Sequence, residues 1–235
     1  MPDDLRDRDW LLVPGTLCTG AVFDGLLDAL AVPGAQRRTV ALDRPRVQDY
    51  ARAFDGVGPG TVVCGFSLGA ILAAHFADRM RADALILFGA TAAPDDPGNA
   101  PARRALADDV ARLGGGAALA SRLPPAMSAE ARRRVLGMAD AMSAAIEAQT
   151  ALASGRPGAA DALRRAACPV TALAGTLDAQ TPFARAAEIA AMTPRGRSIP
   201  LPGLGHYALI EDPGACAAAL GDHRATTHAA RGIGR

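Results

Sequence analysis

Short apolar runs and stretches of helically spaced apolar residues alternate along most of the chain. The first run, Trp10 to Val13, is stopped by Pro14 and Gly15, as suits a buried strand that delivers a loop. Ala21 to Leu30 then carries apolar residues at helical spacing and ends near Pro33 and Gly34. Strand-like runs recur at Thr39 to Leu42, Thr61 to Phe66, Ala84 to Phe88, Pro169 to Ala174 and Arg197 to Pro200, mostly with helical stretches between them. Such alternation predicts an α/β fold: a mostly parallel sheet of about six strands with helices on both faces. Ligands of sheets of this kind bind beyond the carboxyl ends of the strands.

One interval breaks the rhythm. Residues 91–167 hold no strand-like run and open with the turn-rich TAAPDDPGNAP. This predicts a helical cap inserted into a core formed by residues 1–90 and 168–220. Its helices are expected over 102–113, near Ala117, over 128–153 and over 159–166. Pro101 suits a helix entry, and Ser128 an N-cap with Glu130 in the first turn. Gly114 to Gly116 reads as a flexible joint. Residues 221–235 lack apolar periodicity and read as a flexible tail.

Composition narrows the classes. At 235 residues, half of them apolar, the chain can bury one substantial core but has little room for two domains. Its 25 basic residues are all arginine and are offset by 24 acidic ones, leaving a net charge of +1. That balance offers no basic patch for nucleic acid. Cys18, Cys64, Cys168 and Cys216 form no CxxC or His/Cys cluster, so buried free thiols are expected and no metal. No apolar stretch reaches the length of a membrane span, and the polar N-terminus does not read as a signal peptide, so a cytoplasmic protein is expected.

The chemistry begins at TVVCGFSLGA, residues 61–70. A serine on a sharp strand-to-helix turn needs small residues two places before and after it, and Gly65 and Gly69 supply them around Ser67. The amide of Leu68 then lies at a helix N-terminus, where it favours an anionic oxygen. A serine hydroxyl also needs a base. Of four histidines, His75 falls inside the helix that leaves the elbow, while His223 and His228 fall in the tail. His206 follows the last strand in a Gly-rich loop at the expected site edge. Its partner carboxylate is assigned to Asp178, at a strand end, before a helix signalled by Thr181 as N-cap and Pro182 at its first position. Glu211 and Asp212 are rivals, with Asp212 better read as the N-cap of the final helix. The chain order Ser67, Asp178, His206 is the one that goes with the elbow motif. A second oxyanion donor is expected from the loop PGTLCTG: the Thr16 amide, with Leu17 as the alternative.

GFSLG, LLVPGTLC, AGTLDAQTP and GLGHYALIEDP together resemble the α/β-hydrolase superfamily over nearly the whole chain, and most closely its small bacterial members with a short helical cap. The resemblance implies Ser67 as nucleophile, Asp178 as acid, His206 as base, and Leu68 and Thr16 as oxyanion amides. The common His-Gly of the first loop is Pro14-Gly15 here. The implied activity is hydrolysis of an ester or thioester of a small, largely apolar acyl substrate, without cofactor or metal. Leu17, Phe66, Met138, Met142 and Tyr207 are the expected substrate contacts. Carbon–carbon bond hydrolysis, a lyase or cyclase reaction in the same pocket, and a non-catalytic receptor stay open as alternatives.

Overall fold

The computed structural model describes residues 3–221 of the chain. The expected tail from residue 222 onward, with His223 and His228, lies outside the described residues. Six strands form one sheet: β1 (Asp9–Val13), β2 (Arg37–Thr39), β3 (Thr61–Phe66), β4 (Ala84–Phe88), β5 (Val170–Gly175) and β6 (Gly196–Leu201). Their order is β2-β1-β3-β4-β5-β6, and every neighbouring pair is parallel.

The helices follow in chain order. α1 (Asp3–Arg6), α2 (Asp24–Ala29), α3 (Ala51–Phe54) and α4 (Leu68–Ala74) precede β4; α5 (Ala100–Leu113), α6 (Gly115–Ala120), α7 (Ala129–Ala141), α8 (Ile146–Ala153) and α9 (Ala160–Arg164) fall between β4 and β5; α10 (Phe183–Met192) and α11 (Ala208–Glu211) follow. A last helix occupies 213–221.

Because side chains alternate across a strand, each strand feeds both faces of the sheet. Trp10 and Leu12 of β1, with Val62, Cys64 and Phe66 of β3, pack against α2 and the inserted helices. Leu11, Val13 and Val63 pack on the other face with α4 and α9. Truncating one of these fully buried leucines to alanine would cost about 2–5 kcal/mol. All four cysteines are buried and unbridged, and burial pushes the thiols of Cys18 and Cys216 up to about 12.

Four local expectations are corrected. The second strand pairs at Arg37–Thr39, ahead of the apolar run expected to form it. An edge strand needs only half its surface buried, and here the ladder residues are mostly exposed, while Leu42 turns inward beyond the strand. The helix expected over 128–153 is broken by a short 3-10 turn at Ser143–Ala145. The hydroxyl of Ser143 donates to the Ala139 and Asp140 carbonyls and accepts from the Gly115 amide, while the Asp140 carboxylate accepts from Gly116. The end of α7 therefore caps the start of α6. Gly115 and Gly116 are packing positions: a Cβ on Gly115 would stand 1.9 Å from the Ala139 carbonyl oxygen. Finally, α10 starts after Pro182, which takes the N-cap position, so Thr181 does not cap it. Ser128 does cap α7, accepting from the Ala131 amide, and Pro101 sits in the first turn of α5.

Candidate active site

Ser67 occupies the junction of β3 and α4 with φ +52 and ψ −122, a backbone conformation that costs a non-glycine residue about 1–3 kcal/mol. Its surroundings hold it there. The Ser67 amide donates to the Phe88 carbonyl of β4, and its carbonyl accepts from Ile71 in α4. The flanking glycines are required by close approach: a Cβ on Gly65 would lie 2.5 Å from Ala70 Cα, and one on Gly69 would lie 2.1 Å from the Val13 carbonyl oxygen.

The Ser67 hydroxyl lies 3.0 Å from His206 Nε2, and His206 Nδ1 lies 2.8 Å from Asp178 Oδ2. In the tautomer in which Nδ1–H donates to the carboxylate, Nε2 is the acceptor facing Ser67. The Asp178 side chain is about 1% exposed. Its other oxygen accepts from the amides of Gln180 and Thr181. The carboxylate thus shapes the turn after β5 and orients the imidazole at once.

The loop that carries His206 is buttressed by a residue considered above only as a rival acid. Glu211 accepts from the amides of Gly205 and Tyr207, on either side of His206. Asp212 accepts from Ala215 and caps the last helix, as its place before Pro213 indicates. Gly89, at the end of β4 with φ +60, lies behind the imidazole: a Cβ there would stand 3.1 Å from His206 Cε1. Its role was hidden because the sequence marks it only as a strand-ending glycine.

His75 stands apart. It follows the last residue of α4, largely buried, and its Nε2 has no hydrogen-bond partner among the described residues. Burial, reinforced by the charge of Arg156, lowers its pKa to about 4.

Two backbone amides, one next to Ser67 in the chain and one in the wall of the cavity beside it, are the expected oxyanion donors. Leu68 opens α4, whose first amides have no partner within the helix. In the loop after β1 the two alternatives separate, because the Leu17 amide already donates to the side chain of Gln149 at 2.9 Å, whereas the Thr16 amide is in no hydrogen bond among the described residues. Leu17 itself holds φ +54, and Gly15 leaves room for Ser67, since a Cβ there would lie 3.0 Å from Ser67 Cβ.

Ser67, His206 and Thr16 share the wall of a cavity of about 320 Å³, within the range of small-molecule sites. Of the expected contacts, Leu17, Phe66 and Tyr207 line it. Met138 and Met142 do not; they pack into the hydrophobic cluster beneath the inserted helices. Helical spacing identifies a buried face without saying whether that face meets protein or ligand. The remaining wall comes largely from α5, α6 and α8, including Leu106, Leu119, Ile146 and Gln149, none of which carried a motif. Arg103 and Arg122 also reach this wall.

Among the described residues, no cluster of His, Cys, Asp and Glu is arranged to hold a metal ion, and no helix is long and apolar enough to cross a membrane.

A parallel sheet with a strained serine at the carboxyl end of its third strand, a histidine after the last strand and a carboxylate between them in the chain defines a class of α/β enzymes. The chain belongs to the alpha/beta hydrolase family, whose model matches residues 10–219. No curated protein matches the sequence. Solved structures share the fold at low identity. A thermophilic esterase from Thermogutta terrifontis, described with malate bound, is 23% identical with a TM-score of 0.71, covering 93% of this chain and 90% of that one. A structure from a study of Nitrososphaera gargenis carboxylesterases gives 17% and 0.75, with 96% and 92% covered. MenH from S. aureus gives 14% and 0.72, with 92% of each chain covered.

Proposed function

We propose that the protein is a serine hydrolase that cleaves a carboxylic ester or thioester through an acyl-enzyme on Ser67. The observation that carries this reading is the continuous hydrogen-bonded line from the Ser67 hydroxyl through His206 to the buried Asp178. His206 Nε2 takes the hydroxyl proton as Ser67 Oγ bonds to the substrate carbonyl carbon. The oxyanion that forms is met by the amides of Leu68 and Thr16, a kind of donor whose removal typically costs about 3–4 kcal/mol of barrier. The bond to the leaving oxygen or sulfur then breaks, and His206 returns its proton to the departing alcohol or thiol. A water molecule, deprotonated by His206, attacks the acyl carbon. Ser67 leaves reprotonated, and a carboxylic acid is released. Asp178 steadies the imidazolium in both half-reactions without taking the proton.

The helices between β4 and β5 serve as a cap that walls the site and excludes water from it. Leu106, Leu119 and Ile146 in that cap, with Phe66 and Tyr207, favour an apolar chain beside the reacting carbonyl.

The test is intact-mass labelling with a small fluorophosphonate, followed by turnover of a graded panel of acyl esters and thioesters. A single adduct on the wild type, absent from Ser67→Ala and His206→Ala, is expected. A folded wild type that takes no adduct and turns over no ester would overturn the assignment in favour of lyase chemistry or simple ligand binding.

A further inference from the structure

The wall of the cavity beside Ser67 includes two arginines, Arg103 of α5 and Arg122 just beyond α6, and among the described residues no Asp or Glu. Asp178 is behind His206 and committed to it.

Both arginines have acidic neighbours, but each neighbour is shared. Arg122 donates to Asp109, which also accepts from Arg112. Arg103 lies 2.5 Å from Asp95, and Arg156 lies within electrostatic reach of both. One carboxylate against two guanidiniums leaves a surplus positive charge in each group. The acidic pair nearby, Asp108 and Glu147, binds Arg104, and their side chains are 70% and 64% exposed, so they are screened by solvent. Arg103 and Arg122, at 22% and 34%, are far less so.

A site meant only for an apolar acyl chain gains nothing from partly desolvated cations, because withdrawing charge from water is costly unless a partner replaces the water. Gln149, Thr150 and Gln180 add polar side chains to the same wall. We propose that the substrate is anionic: an ester or thioester that carries a free carboxylate in addition to its scissile carbonyl, held by Arg103 and Arg122 while the apolar wall takes the chain between. This rests on the hydrolase reading above and narrows its substrate class.

The test compares kcat/KM for p-nitrophenyl hydrogen glutarate, a half-ester, with that for p-nitrophenyl pentanoate, a neutral ester of the same acyl length. A charge-assisted hydrogen bond discriminates by about tenfold or more, so the half-ester should be preferred by at least that factor, and less at high ionic strength. The preference should collapse toward unity in Arg103→Met and Arg122→Met, which keep most of the apolar stem. A half-ester turned over no better than the neutral ester, or a preference unmoved in both variants, would overturn the proposal.

Calorimetric titration of Ser67→Ala with glutarate reads the anion site without turnover. Binding that weakens about tenfold on adding Arg122→Met supports it, and no binding counts against it. Glutarate binding in a protein that labels with no fluorophosphonate would sink the hydrolase reading alone.

Discussion

Gln149 Oε1 accepts a hydrogen bond from the Leu17 amide at 2.9 Å, across 132 residues of chain. Its amide nitrogen donates to the Leu42 carbonyl at 3.1 Å, and the side chain is fully buried. One residue of α8 therefore ties the inserted helices to the loops after both β1 and β2, next to the Thr16 amide.

Gln149→Leu preserves size but leaves a buried donor and a buried acceptor unpaired, at about 1–3 kcal/mol each. Denaturant unfolding should register that loss. The loop holding Thr16 should loosen as well. Since misplacing a stabilising group by about 1 Å can cost about 100-fold in rate, kcat on an ester substrate should fall. An unchanged kcat in a folded variant would show that Thr16 is held without Gln149.

Strain at Ser67 makes a prediction that separates stability from activity. With φ at +52, alanine at this position is as strained as serine, but glycine is not. Ser67→Gly should be more stable than Ser67→Ala by about 1 kcal/mol, although both lose turnover. Paired thermal melts decide it, and an equal or lower melting temperature for the glycine variant would mean that the turn is not strained.

How much of this was legible from the residues follows from what each feature depends on. Four of the six strands, β1, β3, β4 and β5, were readable because they lie inside the sheet and appear as apolar runs, whereas β6, at one edge, was placed only from the short run Arg197 to Pro200. β2 was displaced because an edge strand leaves no such signature. Ser67, Asp178 and His206 could be picked out because each sits at the end of a strand whose start and stop are marked by glycine and proline. Gln149 and Gly89 could not, since their significance lies in what the fold brings against them from more than a hundred residues away. Nor could Arg103 and Arg122, whose place in the cavity wall comes from the fold and is marked by no motif.

Gly89 offers a direct probe of how tightly His206 is held. Alanine there is strained by the positive φ and places a methyl 3.1 Å from His206 Cε1, so the imidazole must shift by a few tenths of an ångström. Gly89→Ala should lose about 1 kcal/mol of stability and, through the displaced imidazole, about tenfold or more in kcat/KM if His206 acts as proposed. Fluorophosphonate labelling should slow in parallel, because it needs the same activated hydroxyl. Normal labelling with a destabilised fold would mean that the ring moves without leaving Ser67.

His75 should govern part of the response to acid. Burial first, and the Arg156 charge second, lower its pKa to about 4 from an ordinary value of 6.5. The unfolded chain therefore takes up a proton that the folded chain refuses as pH falls through this window. Stability should drop progressively between about pH 6.5 and 4 and then stop changing on account of this residue, with a full effect of about 3 kcal/mol. His75→Gln has no proton to bind, so the difference in urea midpoint between wild type and variant should depend on pH across that interval and be constant above it. A difference that stays constant throughout would mean that the imidazole reaches solvent when protonated, and that its burial is not enforced by the fold.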